Sequence, residues 1–132
     1  MAATKIEIVM PDEAFEPGDL VSFEIVVTSL HEFTLDCEPV VRLGDKGISF
    51  NEKTITPGGT ATWPTSIIMP GESVTIKAES WCASYDFDWR KDSTAQLTIK
   101  PGQVAGTSGG FPIGGLVALL GILGIVILGR KK

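Results

Sequence analysis

From Asp19 to Leu30 the chain reads DLVSFEIVVTSL, in which Val21, Phe23, Ile25 and Val27 alternate with Ser22, Glu24, Val26 and Thr28. A period of two marks a strand with one buried face. The run ESVTIKAESWC repeats it, with Val74, Ile76, Ala78 and Cys82 on one face and Thr75, Lys77 and Glu79 on the other, Trp81 being half exposed. KIEIVM (5–10), FTLDCEPVVRL (33–43), GISF (47–50), TATWPTSIIM (60–69) and STAQLTIK (93–100) supply further strands. Pro-Gly pairs at 17–18, 57–58, 70–71 and 101–102 punctuate them, each a turn in which Pro presets the first dihedral and Gly takes the positive one. Short strands at regular spacing, with no helical period before residue 111, predict an all-β domain over residues 1–100, an antiparallel β-sandwich. Pro39 and Pro64 interrupt their runs, which places those segments at edges or bulges.

The pattern changes after residue 100. PGQVAGTSGG (101–110) reads as a flexible Gly/Ser linker, about 17 Å end to end as a coil. Phe111 to Gly129 then carries no charged or polar side chain, and Arg130, Lys131 and Lys132 close the chain. Such a run predicts one transmembrane α-helix over 111–129 with a basic tip at 130–132; helix from Ile113 to Gly129 would be about 25 Å long. At 100° per residue Gly114, Ala118, Gly121 and Gly124 fall on one half of that helix, while Leu116, Leu119, Leu120, Leu123 and Ile127 take the other. In water the glycines would cost nearly 1 kcal/mol each relative to alanine, whereas in lipid a smooth face lets helices approach closely. A homo-oligomer through this helix is the expectation, beside the plainer reading that glycine is simply frequent in membrane helices.

Charge sharpens the division. All sixteen acidic residues precede Phe111, against eight basic ones, so the domain carries a net −8 and the tail +3. An acidic domain repels phosphate backbones, which disfavours nucleic acid as a partner and leaves membrane lipid as the expected one. The N-terminal MAATKIEIVM lacks the apolar core of a secretory leader. Basic residues after the span nevertheless favour the cytoplasmic side, with the sandwich outside. The expectation is therefore an extracytoplasmic or virion-surface domain, the alternative a cytosolic tail-anchored one.

The unit Phe15-Glu16-Pro17-Gly18-Asp19-Leu20-Val21-Ser22-Phe23, running into Ile25, Val26 and Val27, resembles the second strand of the immunoglobulin-like adhesion domains found on prokaryotic cell surfaces. The resemblance spans about residues 5–100 and implies an immunoglobulin-like topology. Cys37 lies beyond the strand that would carry the first half of an antibody-type inter-sheet disulfide. The tail, with a Gly/Pro signal, an apolar helix and a basic cluster, resembles the sorting ends of archaeal and bacterial surface proteins, although Gly110-Phe111-Pro112 stands where those carry Pro-Gly-Phe.

Little catalytic chemistry is legible. His31 is the chain's one histidine, and no nucleophile spacing or phosphate loop accompanies it, so no enzyme activity and no cofactor are expected. Cys37 and Cys82 form no metal motif; a disulfide between them and a pair of buried thiols are both compatible with the sequence. The stretch YDFDWRKD (85–92) alternates aromatic and acidic residues. Tyr85, Phe87 and Trp89 are candidate contacts for a protein or glycan partner, and Asp86, Asp88 and Asp92 offer oxygens to a hard cation, although the Gly and distal Glu of a calcium loop are missing. A hairpin with its aromatics tucked inward is the plainer reading. A non-enzymatic, membrane-anchored structural protein, repeated in a cell envelope or virion membrane, is the functional expectation; a tethered binding module is the alternative.

Overall fold

The computed structural model describes residues 2–104 and 107–109. The apolar segment, the packing positions Gly114, Ala118, Gly121 and Gly124, and the basic Arg130, Lys131 and Lys132 lie outside the described residues. Among the described residues no helix is long and apolar enough to cross a membrane.

The strands are β1 (Thr4–Val9), β2 (Leu20–Ser29), β3 (Leu35–Leu43), β4 (Lys46–Ser49), β5 (Lys53–Ile55), β6 (Thr60–Ile68), β7 (Val74–Ser84), β8 (Phe87–Ile99) and β9 (Thr107–Gly109). They form two antiparallel sheets, one ordered β6-β2-β1-β9 and the other β4-β3-β7-β8, with β5 also paired to β3. The described residues form an all-β antiparallel sandwich. Each alternating run sends its apolar residues inward: Ile6 and Ile8 from β1, Val21, Phe23, Ile25 and Val27 from β2, and Trp63 from β6 face Leu35, Cys37 and Val41 from β3 and Ile76, Ala78 and Cys82 from β7. Full burial of one such Ile, Leu, Val or Phe contributes about 1.5–3 kcal/mol, so the alternation itself is the main stabilising device.

Both interrupting prolines find a place where no donor is required. Pro64 lies on β6, the edge of its sheet. Pro39 is different: β3 is an interior strand, but β5 pairs with Leu35–Cys37 and β4 with Val40–Leu43, so on that side Glu38 and Pro39 fall between the two partners. The missing N–H coincides with a gap in the ladder. Gly18, Gly58 and Gly102 take positive φ (94°, 76° and 77°), as their Pro-Gly turns predict, whereas Gly71 does not and Gly44 does. Residues 107–109, within the segment expected to be a linker, pair antiparallel with β1, Glu7 opposite Gly109 and Val9 opposite Thr107.

Candidate interaction site at the hairpin end of the sandwich

The sandwich has two ends of unlike character. At one, the chain returns through loops 10–19, 44–45, 69–73 and 100–102, which carry Asp12, Glu13, Glu16, Asp19, Asp45 and Glu72, with Lys100 as their one cation. At the other, loops 30–34 and 56–59 and the β7–β8 turn bring together Leu30, His31, Glu32, Phe33, Tyr85 and Asp86. Acidity is concentrated at the first end and exposed aromatics at the second.

At this second end an aromatic ladder links two segments far apart in sequence. His31 meets Phe33 (5.8 Å between centroids) and Phe87 (5.5 Å), both edge to face, and Phe33 meets Tyr85 at 5.7 Å. The Arg90 guanidinium lies 3.8 Å from the centroid of the Phe87 ring, a cation–π contact. His31 Nε2 and Asp86 Oδ1 are 3.0 Å apart. The His31 hydrogen bond holds the exposed Asp86 carboxyl below its ordinary range.

The stretch 85–92 is thus less a loop than a hairpin: only Tyr85 and Asp86 form the turn, and Phe87 onward is β8 with bulges against β7. Tyr85 is 90% exposed and Trp89 46%, but Phe87 is half buried and packs on the core. Tyr85 and Trp89 are thus the outward two, and Phe87 the partly covered one. The outward group at the tip is instead Leu30, Phe33 and Tyr85, of which sequence reading singled out only the last. A run of apolar residues at a strand end, Leu30 and Phe33 around a polar pair, was the signal available.

The three aspartates also part company. Asp86 faces His31, Asp88 points to solvent, and Asp92 turns inward with its side chain 2% exposed. Its carboxylate accepts hydrogen bonds from the backbone N–H of Ala3 (3.0 Å) and Thr4 (2.7 Å) and from the Thr4 hydroxyl. Thr4 Oγ1 in turn lies 2.9 Å from Ser80 Oγ and 2.8 Å from Ser93 Oγ, which are 2.8 Å apart. This network fastens β1 to β7 and β8. Among the described residues no group of three or more His, Cys, Asp or Glu is arranged to hold a metal.

Cys37 and Cys82 are fully buried, free and directly opposite on the neighbouring strands β3 and β7, with their sulfurs 2.7 Å apart. Opposed antiparallel residues have Cα atoms roughly 4.5–5.5 Å apart, inside the window for a disulfide. Such a bond would lie within one sheet, unlike the antibody type. The hydrogen bond to Cys82 and then burial push the Cys37 thiol far above its ordinary range, because two thiolates cannot coexist here beside Asp92.

On the outer face of the second sheet, burial pushes the Glu79 carboxyl up, but hydrogen bonds from Arg42 Nε and Trp81 Nε1 (3.1 Å each), with Lys91 Nζ 3.9 Å away, outweigh it and lower its pKa. A depressed pKa stabilises the fold above the ordinary carboxylate value and ceases to do so as pH falls through the folded one. Glu79→Gln keeps an acceptor oxygen but not the charge, so it is expected to lose about 1–2 kcal/mol at neutral pH, less than the full worth of a hydrogen bond to a charged group, and to lose less than the parent on acidification below about pH 4. Urea melts across pH 3–7 would read this; parallel curves for the two proteins would refute it.

No family model matches the sequence, and no curated protein matches it. Solved structures do. A structural-genomics target, SoR45, superposes with a TM-score of 0.57 at 11% identity, covering 76% of this chain and 88% of that one. The putative ApaA protein from Bordetella pertussis gives 0.56 at 9% identity, covering 79% of this chain and 96% of its own. The likeness is one of fold. A PapD-like domain of human CEP192 superposes more loosely, with a TM-score of 0.44 at 12% identity over 76% of this chain and 86% of that one.

Proposed function

We propose that this chain is a non-enzymatic structural protein: a small sandwich of immunoglobulin-like topology held on a membrane by one C-terminal helix and present in many copies at a cell surface or virion membrane. The observation that carries the reading is the uncharged run from Phe111 to Gly129, ended by three basic residues, which follows directly on a sheet edge that continues to Gly109. The immunoglobulin-like part is supported by strand order, since β6-β2-β1 and β4-β3-β7-β8 correspond to strands E-B-A and C′-C-F-G. The large core tryptophan, Trp63, sits on β6 rather than on the third strand, so the correspondence is topological.

Copies meet through the glycine half of the helix. Gly121→Leu is expected to abolish detergent-resistant oligomers of the full chain while the strand signature in circular dichroism is retained; an unchanged size distribution would sink the repeated-subunit reading. Protease accessibility on intact cells or particles assigns the side of the membrane. The exposure of Tyr85 favours a second reading, a tethered module that recognises a protein or glycan through the hairpin, and Trp89→Ala should then abolish partner capture.

A further inference from the structure

We infer that the hairpin end of the sandwich is a second membrane contact: Leu30, Phe33 and Tyr85 enter the interfacial layer of a zwitterionic bilayer beside the point where the chain's own helix enters it. The inference rests on the proposed anchoring. It follows from the direction of β9. Because β9 is antiparallel to β1, the chain passes Val9 at Thr107 and Glu7 at Gly109, heading for the start of β1. That start, Thr4, pairs with Ser29, and the N–H of Leu30 donates to the carbonyl of Ala3, so the chain is led toward the end bearing Leu30, Phe33 and Tyr85. From the level of Glu7 to that of Thr4 is about 10 Å at strand rise, and in the sequence only Gly110 stands between Gly109 and the apolar run.

The tip is built for such a neighbour. Leu30 is 61% exposed, Phe33 39% and Tyr85 90%, and the nearby Pro57-Gly58-Gly59 turn carries no charge. Tyrosine, with an apolar ring and a polar end, is characteristic of the bilayer interface. A second exposed apolar pair, Leu20 and Ile68, lies at the opposite end beside Asp19 and the other acidic loops, away from the chain exit. The tip itself holds Glu32 and Asp86 against His31, so attraction to anionic headgroups does not contribute, and the contact is expected to be as good on phosphatidylcholine as on acidic lipid. A seated tip would hold the sandwich upright on its anchor and hide Tyr85 from partners in solution.

The experiment uses the full chain in phosphatidylcholine vesicles, with a nitroxide attached at Tyr85→Cys or, as a reference at the other end, at Ile68→Cys. Cys37 and Cys82 are fully buried, and the unsubstituted chain serves as the labelling control. Expected is a severalfold higher ratio of oxygen to nickel-chelate collisions at 85 than at 68, abolished when Leu30 and Phe33 are both replaced by serine. Equal, water-like ratios in a chain that floats with the vesicles overturn this inference and leave the anchor standing. Failure to float removes the anchor and the inference together. Spin–spin broadening at 85 without the oxygen signature would mean that a second copy covers the tip, which also overturns it.

Discussion

Asp92→Ala is expected to cost about 3 kcal/mol and to release the first strand from the rest of the sandwich. The side chain is almost wholly buried, and it satisfies two backbone N–H groups and a hydroxyl at the start of β1. Hydrogen bonds to a charged acceptor contribute about 1.5–3 kcal/mol each, and donors left without a partner add their own desolvation cost. The value lies well below the sum of the three because the Thr4 hydroxyl keeps Ser80 Oγ and Ser93 Oγ as partners once the carboxylate is gone. Asp92→Asn keeps one acceptor oxygen and should lose less. Chemical denaturation gives the stability, and amide exchange over residues 3–9 gives the location; a loss under about 1 kcal/mol, or faster exchange spread evenly over both sheets, would show that the network does not pin β1. The consequence reaches β9 as well, since β1 is the strand with which it pairs.

Trp63→Ala should cost about 3–5 kcal/mol, the range for emptying a large aromatic site in a core. Trp63 is 1% exposed and reaches across the open edge of the sandwich, where its Nε1–H donates to the carbonyl of Asn51 at 2.7 Å. Lys53, in β5, lies 5.3 Å from the centroid of its ring and donates to the carbonyl of Thr62. The indole thus joins β6 of one sheet to the segment leading into β5 of the other. Against a typical domain stability of about 5–15 kcal/mol, the alanine variant stands close to unfolding. Trp63→Phe separates the parts: it keeps most of the volume and loses the donor, so roughly 1–2 kcal/mol is expected. Thermal and urea melts of the three proteins test this, and an alanine variant within 1 kcal/mol of the parent would mean that the site collapses around the hole.

The strands that were legible are those with enough alternating residues to state a period. β2, β3, β6 and β7 each hold at least nine residues with an apolar face, and their predicted and observed extents agree to within a few positions. β5 is three residues long and β9 is Thr-Ser-Gly, too short and too small to carry a pattern; both exist because a neighbouring edge offers hydrogen bonds. β8 begins six residues before its alternation does, since Phe87 to Asp92 are held by β7 across two bulges.

The candidate site was less legible, and for one physical reason. A site of this kind is made of side chains from different strands, and register between strands is set by packing and turns. Asp92 looked like one of three acids on a surface stretch; its inward course depends on the N–H groups of residues 3 and 4, almost ninety positions away. Asp86 likewise finds His31, 55 residues distant, and Cys37 faces Cys82 only because β3 and β7 pair in one particular register.

What the sequence by itself determined is every property that is local or additive: the all-β class, the inward faces of the strands, the proline positions, the acidity of residues 1–110 and the uncharged run at the C-terminus. Tertiary structure alone decided which faces and ends coincide. It put the exposed aromatics at one end and the acidic loops at the other, buried Asp92 as a fastening, and set β9 antiparallel against β1. Alternation is written in each strand by its own burial, whereas sheet order and register follow only from how all the buried faces fit together at once.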